Sequence, residues 1–75
     1  MIRIFQTFDG YGYEVSNGII KVRQEYFPVL QGNIPMTKNQ AKFLAEIVMR
    51  KLQKNPLSLP TLTFDEVIYV WRNIK

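Results

Sequence analysis

The chain has no cysteine, no histidine and one tryptophan among its 75 residues. It also has no apolar run approaching the roughly 20 residues that a helix needs to span a bilayer. Each absence excludes something. Without cysteine there is neither a disulfide framework nor a thiolate zinc site, so so small a chain is held by packing or by a partner. Without histidine the usual general base near neutral pH is missing, together with the histidine-dependent nucleophile sets and most transition-metal sites. The one adjacent carboxylate pair, Asp65 and Glu66, falls in the first turn of an expected helix, where acids suit the helix dipole and no second group perturbs them. Gly10-Tyr11-Gly12 lies inside a hairpin pattern and not between a strand and a helix, so it is no phosphate loop. The expectation is a protein that is not an enzyme and uses no cofactor or metal.

What is present describes one small domain over residues 1–75. Hydrophobic residues make up 47% of it, yet at this size folding buries only about 60% of the surface the unfolded chain exposes. The core is therefore thin. Net charge is +4 and the isoelectric point near 9.6, a balance that permits attraction to nucleic acid or anionic membrane without requiring it.

Residues 2–25 form a meander pattern. Two β-branched and aromatic runs, Ile2 to Phe8 and Tyr11 to Ser16, flank Asp9-Gly10, and a third from Ile19 follows Asn17-Gly18. Both dipeptides suit two-residue type I′ turns. Such turns place Gln6 opposite Tyr13, Ile4 opposite Val15, Tyr13 opposite Val22 and Glu14 opposite Lys21. One face then collects Ile2, Ile4, Phe8, Tyr11, Tyr13, Val15, Ile20, Val22 and Tyr26 as the core side. The other carries Arg3, Phe5, Glu14, Lys21, Arg23 and Glu25, with the Phe5 ring expected to lie over the gap left by Gly12.

The stretch 26–36 is apolar loop. Pro28 and Pro35 stiffen it, Gly32 is expected at positive φ, and Tyr26, Val29, Leu30 and Ile34 are expected to fold inward as a lid. Thr37 to Gln40 reads as a capping box, opening a helix over 37–54 whose apolar stripe is Ala41, Leu44, Ala45, Val48 and Leu52. Met36 is placed to staple onto Ala41, and Asn55-Pro56 ends the helix. Arg50, Lys51 and Lys54 suit its C-terminal dipole; the sharper reading is a phosphate or lipid-headgroup patch. Phe43 and Ile47 point off the stripe and need another cover. The tail, 55–75, is extended and Pro-rich and then opens a second capping box, Thr63 to Glu66, heading a short helix with Val67, Val70, Trp71 and Ile74 on one face. That run is β-branched enough for a strand, but the capping box favours helix, with Trp71 in the core. The fold class is thus α+β, a three-stranded antiparallel meander with one helix packed on one face, a Pro-rich extended segment and a short C-terminal helix.

The residues Gly12-Tyr13, Asn17-Gly18, Arg23-Gln24-Glu25, Pro28 and Gln31-Gly32-Asn33 resemble domain of unknown function 4907, a family of small exported Bacteroidetes proteins. The likeness extends more loosely through Ala41, Ala45 and Val48 into the Pro-rich tail. It implies a periplasmic or cell-envelope location and brings no activity with it. Met1 leads straight into strand-like sequence, the pattern of a chain without an export signal, so this location supposes that Met1 replaces a removed leader. Where Met36 stands, such proteins tend to carry an aromatic.

Three readings of function follow. The first is a non-enzymatic interaction module of the envelope, binding a protein partner or a second copy of itself through Arg3, Phe5, Arg23, Glu25, Tyr26, Phe27, Pro28, Gln31 and Asn33. These span the wet sheet face and the 26–34 loop, and the unpaired strand edges offer a further docking route. The second is a nucleic-acid-binding domain, because a three-stranded sheet backed by a helix resembles integrase-type DNA-binding domains. Against it, Arg3, Lys21 and Arg23 are offset by Glu14 and Glu25, whereas counterion release needs several unopposed cations. The third, an enzyme, has no residue set to support it.

Overall fold

The β-branched runs of the first third form three antiparallel strands, β1 (Ile2–Gln6), β2 (Tyr11–Ser16) and β3 (Lys21–Gln24), in the computed structural model, which describes every residue from Met1 to Lys75. The sheet order is β1-β2-β3. Two helices follow, α1 (Lys38–Lys54) and α2 (Phe64–Asn73), completing the expected α+β fold. Neither is long and apolar enough to cross a membrane.

Register differs from the sequence expectation. Ile4 pairs with Tyr13, Gln6 with Tyr11, Val15 with Val22 and Glu14 with Arg23. Both hairpins are therefore shifted by two residues, and the reason lies in the turns. A type I′ turn needs positive φ at both central residues, and neither Asp9 nor Gly10 has it, while in the second turn only Gly18 does, at 90°. The Asn17 side-chain oxygen instead accepts the amides of Ile19 and Ile20, at 3.0 and 2.8 Å, closing a wider Asx turn. Because side chains alternate with period two, a shift of two leaves every residue on its expected face.

Tyr13 and Val15 form the buried floor of the sheet, and α1 lies on them through Ala41, Leu44, Ala45, Val48 and Leu52. Ile4, Ile20 and Val22 complete this side from partly buried positions. Phe8, expected there, is fully exposed because it sits in the first turn. Both capping boxes form as read, at Thr37 and Thr63. Met36 is buried and its carbonyl accepts the Tyr11 amide at 2.9 Å, so the chain returns beside β2 before α1 starts.

The tail is tied back by polar contacts. Lys51 Nζ donates to the Thr61 carbonyl at 2.7 Å and to Glu66 Oε1 at 2.6 Å. Gln40 Nε2 donates to the Ile74 carbonyl at 2.8 Å. Helix α2 thereby lies against α1, burying Val67 and Val70, and Phe43 meets Tyr69 with ring centroids 6.4 Å apart. Trp71 departs from expectation. It is 45% exposed, because the α2 stripe rotates Val67 and Val70 inward and leaves Phe64, Ile68 and Trp71 along its flank.

Candidate interaction surface

The outer sheet face is organised around one acid on the central strand. Glu14 is only 8% exposed. Its Oε1 lies 3.7 Å from Arg3 Nη2 on β1 and 3.5 Å from both Lys21 Nζ and Arg23 Nη1 on β3. A second carboxylate, Glu25, meets Arg23 Nη2 at 3.6 Å. Each cross-strand pair is worth about 0.2–1 kcal/mol, but their joint effect is positional: three long cationic side chains are drawn to one point. Phe5 lies next to them. A Cβ on Gly12 would stand 2.7 Å from the Phe5 ring, so the ring occupies the space that only glycine leaves, as expected from the sequence. The Arg23 guanidinium sits 4.0 Å from the Phe5 ring centroid and that of Arg3 at 5.6 Å. A cation over a ring adds about 0.5–1 kcal/mol at an exposed site. The arrangement is an ordered plate of aromatic and guanidinium, and its three cations against two carboxylates leave one net positive charge.

The 26–34 loop contributes less to this surface than the sequence suggested. Phe27, expected to face outward, is 3% exposed and belongs to the core, its amide donating to the Ile34 carbonyl at 2.9 Å. Tyr26 and Pro28 are partly buried, while Gln31 and Asn33 are exposed. Val29 is exposed rather than folded in. Its φ of 72° places a β-branched residue in the left-handed region, a cost of order 1–3 kcal/mol, and Gly32 (φ 93°) and Asn33 (φ 50°) share positive φ. The structure thus joins Arg3, Phe5, Arg23 and Glu25 into one surface and leaves Gln31 and Asn33 on a separate loop.

Beside β3 lies a groove of about 250 Å³ between the core side of the strand, α1 and the tail. Tyr13 lines it, and burial raises its phenol pKa above the ordinary value. The sequence indicated neither this groove nor Glu14 as the hub of three ion pairs. The flank of α2 was readable, since Phe64, Ile68 and Trp71 recur at helical spacing. No group of three or more carboxylates is placed to hold a metal ion.

The model of a family described as Domain of unknown function (DUF4907) matches residues 3–68. No curated protein and no solved structure matches the chain.

Proposed function

This chain belongs to the family Domain of unknown function (DUF4907), and we propose that it is a small non-enzymatic interaction module that docks a protein partner, or a second copy of itself, through the outer face of its sheet. The observation that carries this reading is the pre-ordered plate: Arg23 stacked at 4.0 Å on Phe5 and held by Glu14. Arginine and aromatic side chains dominate binding energy at protein interfaces, and holding them in place beforehand lowers the entropy lost on docking. On this reading the module works in the periplasm or cell envelope, the location implied by the family resemblance.

The test is affinity capture from fractionated source cells with the unaltered chain, Phe5→Ala and Arg23→Glu, alongside sedimentation of the isolated protein. A stoichiometric partner in the envelope fraction, or a dimer, should weaken by about 30-fold or more in either variant, as expected of a central contact. Binding that survives both substitutions unchanged refutes the sheet-face reading.

A further inference from the structure

The turn between β2 and β3 carries Asn17-Gly18, the one asparagine in the chain that is followed by glycine. Its side chain is held at both polar atoms. Oδ1 accepts the amides of Ile19 and Ile20, at 3.0 and 2.8 Å, and Nδ2 donates to the Pro56 carbonyl at 2.9 Å. That last contact is the only hydrogen bond between residues 1–36 and the tail, 55–75. The remaining side-chain ties of the tail all run from α1: Asn39 to Lys75, Gln40 to Ile74, and Lys51 to Thr61 and Glu66.

The same contacts assemble the parts of an amide-transfer reaction inside the turn. The nucleophile is the Gly18 nitrogen. Its N–H donates to Ser16 Oγ at 3.0 Å, and a Cβ built on Gly18 would meet nothing within 4 Å, so no neighbouring atom crowds it. The electrophile is Asn17 Cγ. As the nitrogen attacks, negative charge develops on Oδ1, where the Ile19 and Ile20 amides already point at distances suited to holding an oxyanion. Both residues of the dipeptide are exposed, so water reaches them. Asn33, Asn39 and Asn73 are followed by the bulkier Ile34, Gln40 and Ile74, and Asn55 by Pro56, which has no N–H to lose.

We propose that Asn17 is a self-modification site, at which the Gly18 nitrogen closes on Asn17 Cγ and the asparagine becomes aspartate or isoaspartate, untying the tail at Pro56. The bond from Gly18 N to Cγ forms and the bond from Cγ to Nδ2 breaks. Nδ2 leaves as ammonia, taking up the proton that Gly18 gives, and a cyclic imide remains. Water then opens it, at Cγ to give aspartate or at the main-chain carbonyl to give isoaspartate, and nothing is oxidised or reduced. Either product has lost the amide donor. Aspartate keeps an acceptor for Ile19 and Ile20 but sets a carboxylate oxygen against the Pro56 carbonyl, two acceptors with no proton between them. Isoaspartate also lengthens the main chain of the turn, next to the Ser16–Lys21 pair that closes the hairpin. Release is local, because Lys51 still holds Thr61 and Glu66. It frees residues 55–60, where Leu57 and Leu59 are already exposed.

The test has two arms, both on the full chain. In the first, the folded protein is aged in mildly alkaline buffer and mapped by peptide mass spectrometry, beside the same chain unfolded in urea. Conversion of amide to acid should accumulate in the folded chain at Asn17 and at no other asparagine, with isoaspartate among the products. A folded chain that stays intact at Asn17 while the unfolded chain converts would show that the turn shields the amide, and overturns the proposal. In the second arm, Asn17→Asp supplies a product directly. A protease that cuts after leucine should cleave between Leu57 and Ser58 about three- to tenfold faster than in the unaltered chain, as for loss of one hydrogen bond. Cleavage after the buried Leu44, which needs unfolding, should not change. Equal cleavage after Leu57 in the two chains means that Asn17 does not hold the tail, and equal acceleration at both leucines means that the whole fold is weakened; either overturns the proposal. Neither arm involves Phe5 or Arg23, so the sheet-face reading stands or falls separately.

Discussion

Gly12→Ala tests the plate at its base. Gly12 has no positive φ, so alanine meets no backbone penalty there, and the effect is one of space. A Cβ at this position would lie 2.5 Å from the Gln24 carbonyl oxygen and 2.7 and 2.8 Å from two Phe5 ring carbons. The ring can swing aside; the carbonyl cannot without moving β3. Overpacking of this kind costs about 1–3 kcal/mol, offset by about 0.4–1 kcal/mol because alanine has less unfolded-state entropy to lose than glycine. The net expectation is about 1–2 kcal/mol of destabilisation, which for a domain this small lowers the melting temperature by about 5–15 °C. Urea melts followed by far-ultraviolet circular dichroism measure it. Phe5→Ala in the same background should recover only the part due to the ring, a coupling of at least about 0.5 kcal/mol. Stability equal to or above that of the unaltered chain would refute the close approach of β2, Gln24 and Phe5 on which the pre-ordered surface depends.

Acid sensitivity should trace to Glu66. Burial works to raise its pKa, but hydrogen bonds from Lys51 and Thr63 outweigh this and hold the carboxyl below its ordinary 4.5. A lowered folded-state pKa contributes stability that is present above the ordinary carboxylate range and lost as pH falls through the folded value. Glu66→Gln keeps an acceptor for the capping box and removes the charge, so it should flatten the acid limb of a stability–pH curve by up to about 1 kcal/mol, the scale of a part-exposed pair; an unaltered limb would exclude the Lys51 pair as its source. Leu44→Ala, at the buried centre of α1, should cost about 2–5 kcal/mol. Trp71→Ala should cost clearly less than Leu44→Ala, since much of the ring is already in water, and equal losses in urea melts would place Trp71 in the core after all.

Local chemistry is why so much of the architecture could be read from the chain. Capping boxes are contacts within four residues, so Thr37 with Gln40 and Thr63 with Glu66 announce their helices without reference to anything distant. Alternation of period two assigned Tyr13 and Val15 to one face and Phe5, Glu14 and Arg23 to the other, and that assignment survives any even shift of register. The register itself was not readable, because Asn17-Gly18 supports both a tight turn and the wider Asx turn that forms, and the choice rests on where the flanking strands pack. Phe27 and Val29 exchanged expected roles for a similar reason: a loop between two prolines has no periodicity to say which side chain turns inward.

Short-range sterics and hydrogen bonding were enough to specify the fold class, the helix starts, the faces of the strands and the placing of Phe5 over Gly12. Which cations gather on Glu14, that Phe27 is core while Trp71 is not, and that a groove opens beside β3 became legible only in the folded chain. Those features depend on how α1, α2 and the tail close on the sheet, and a chain this small has several nearly equivalent ways to bury its few large side chains until long-range packing selects one.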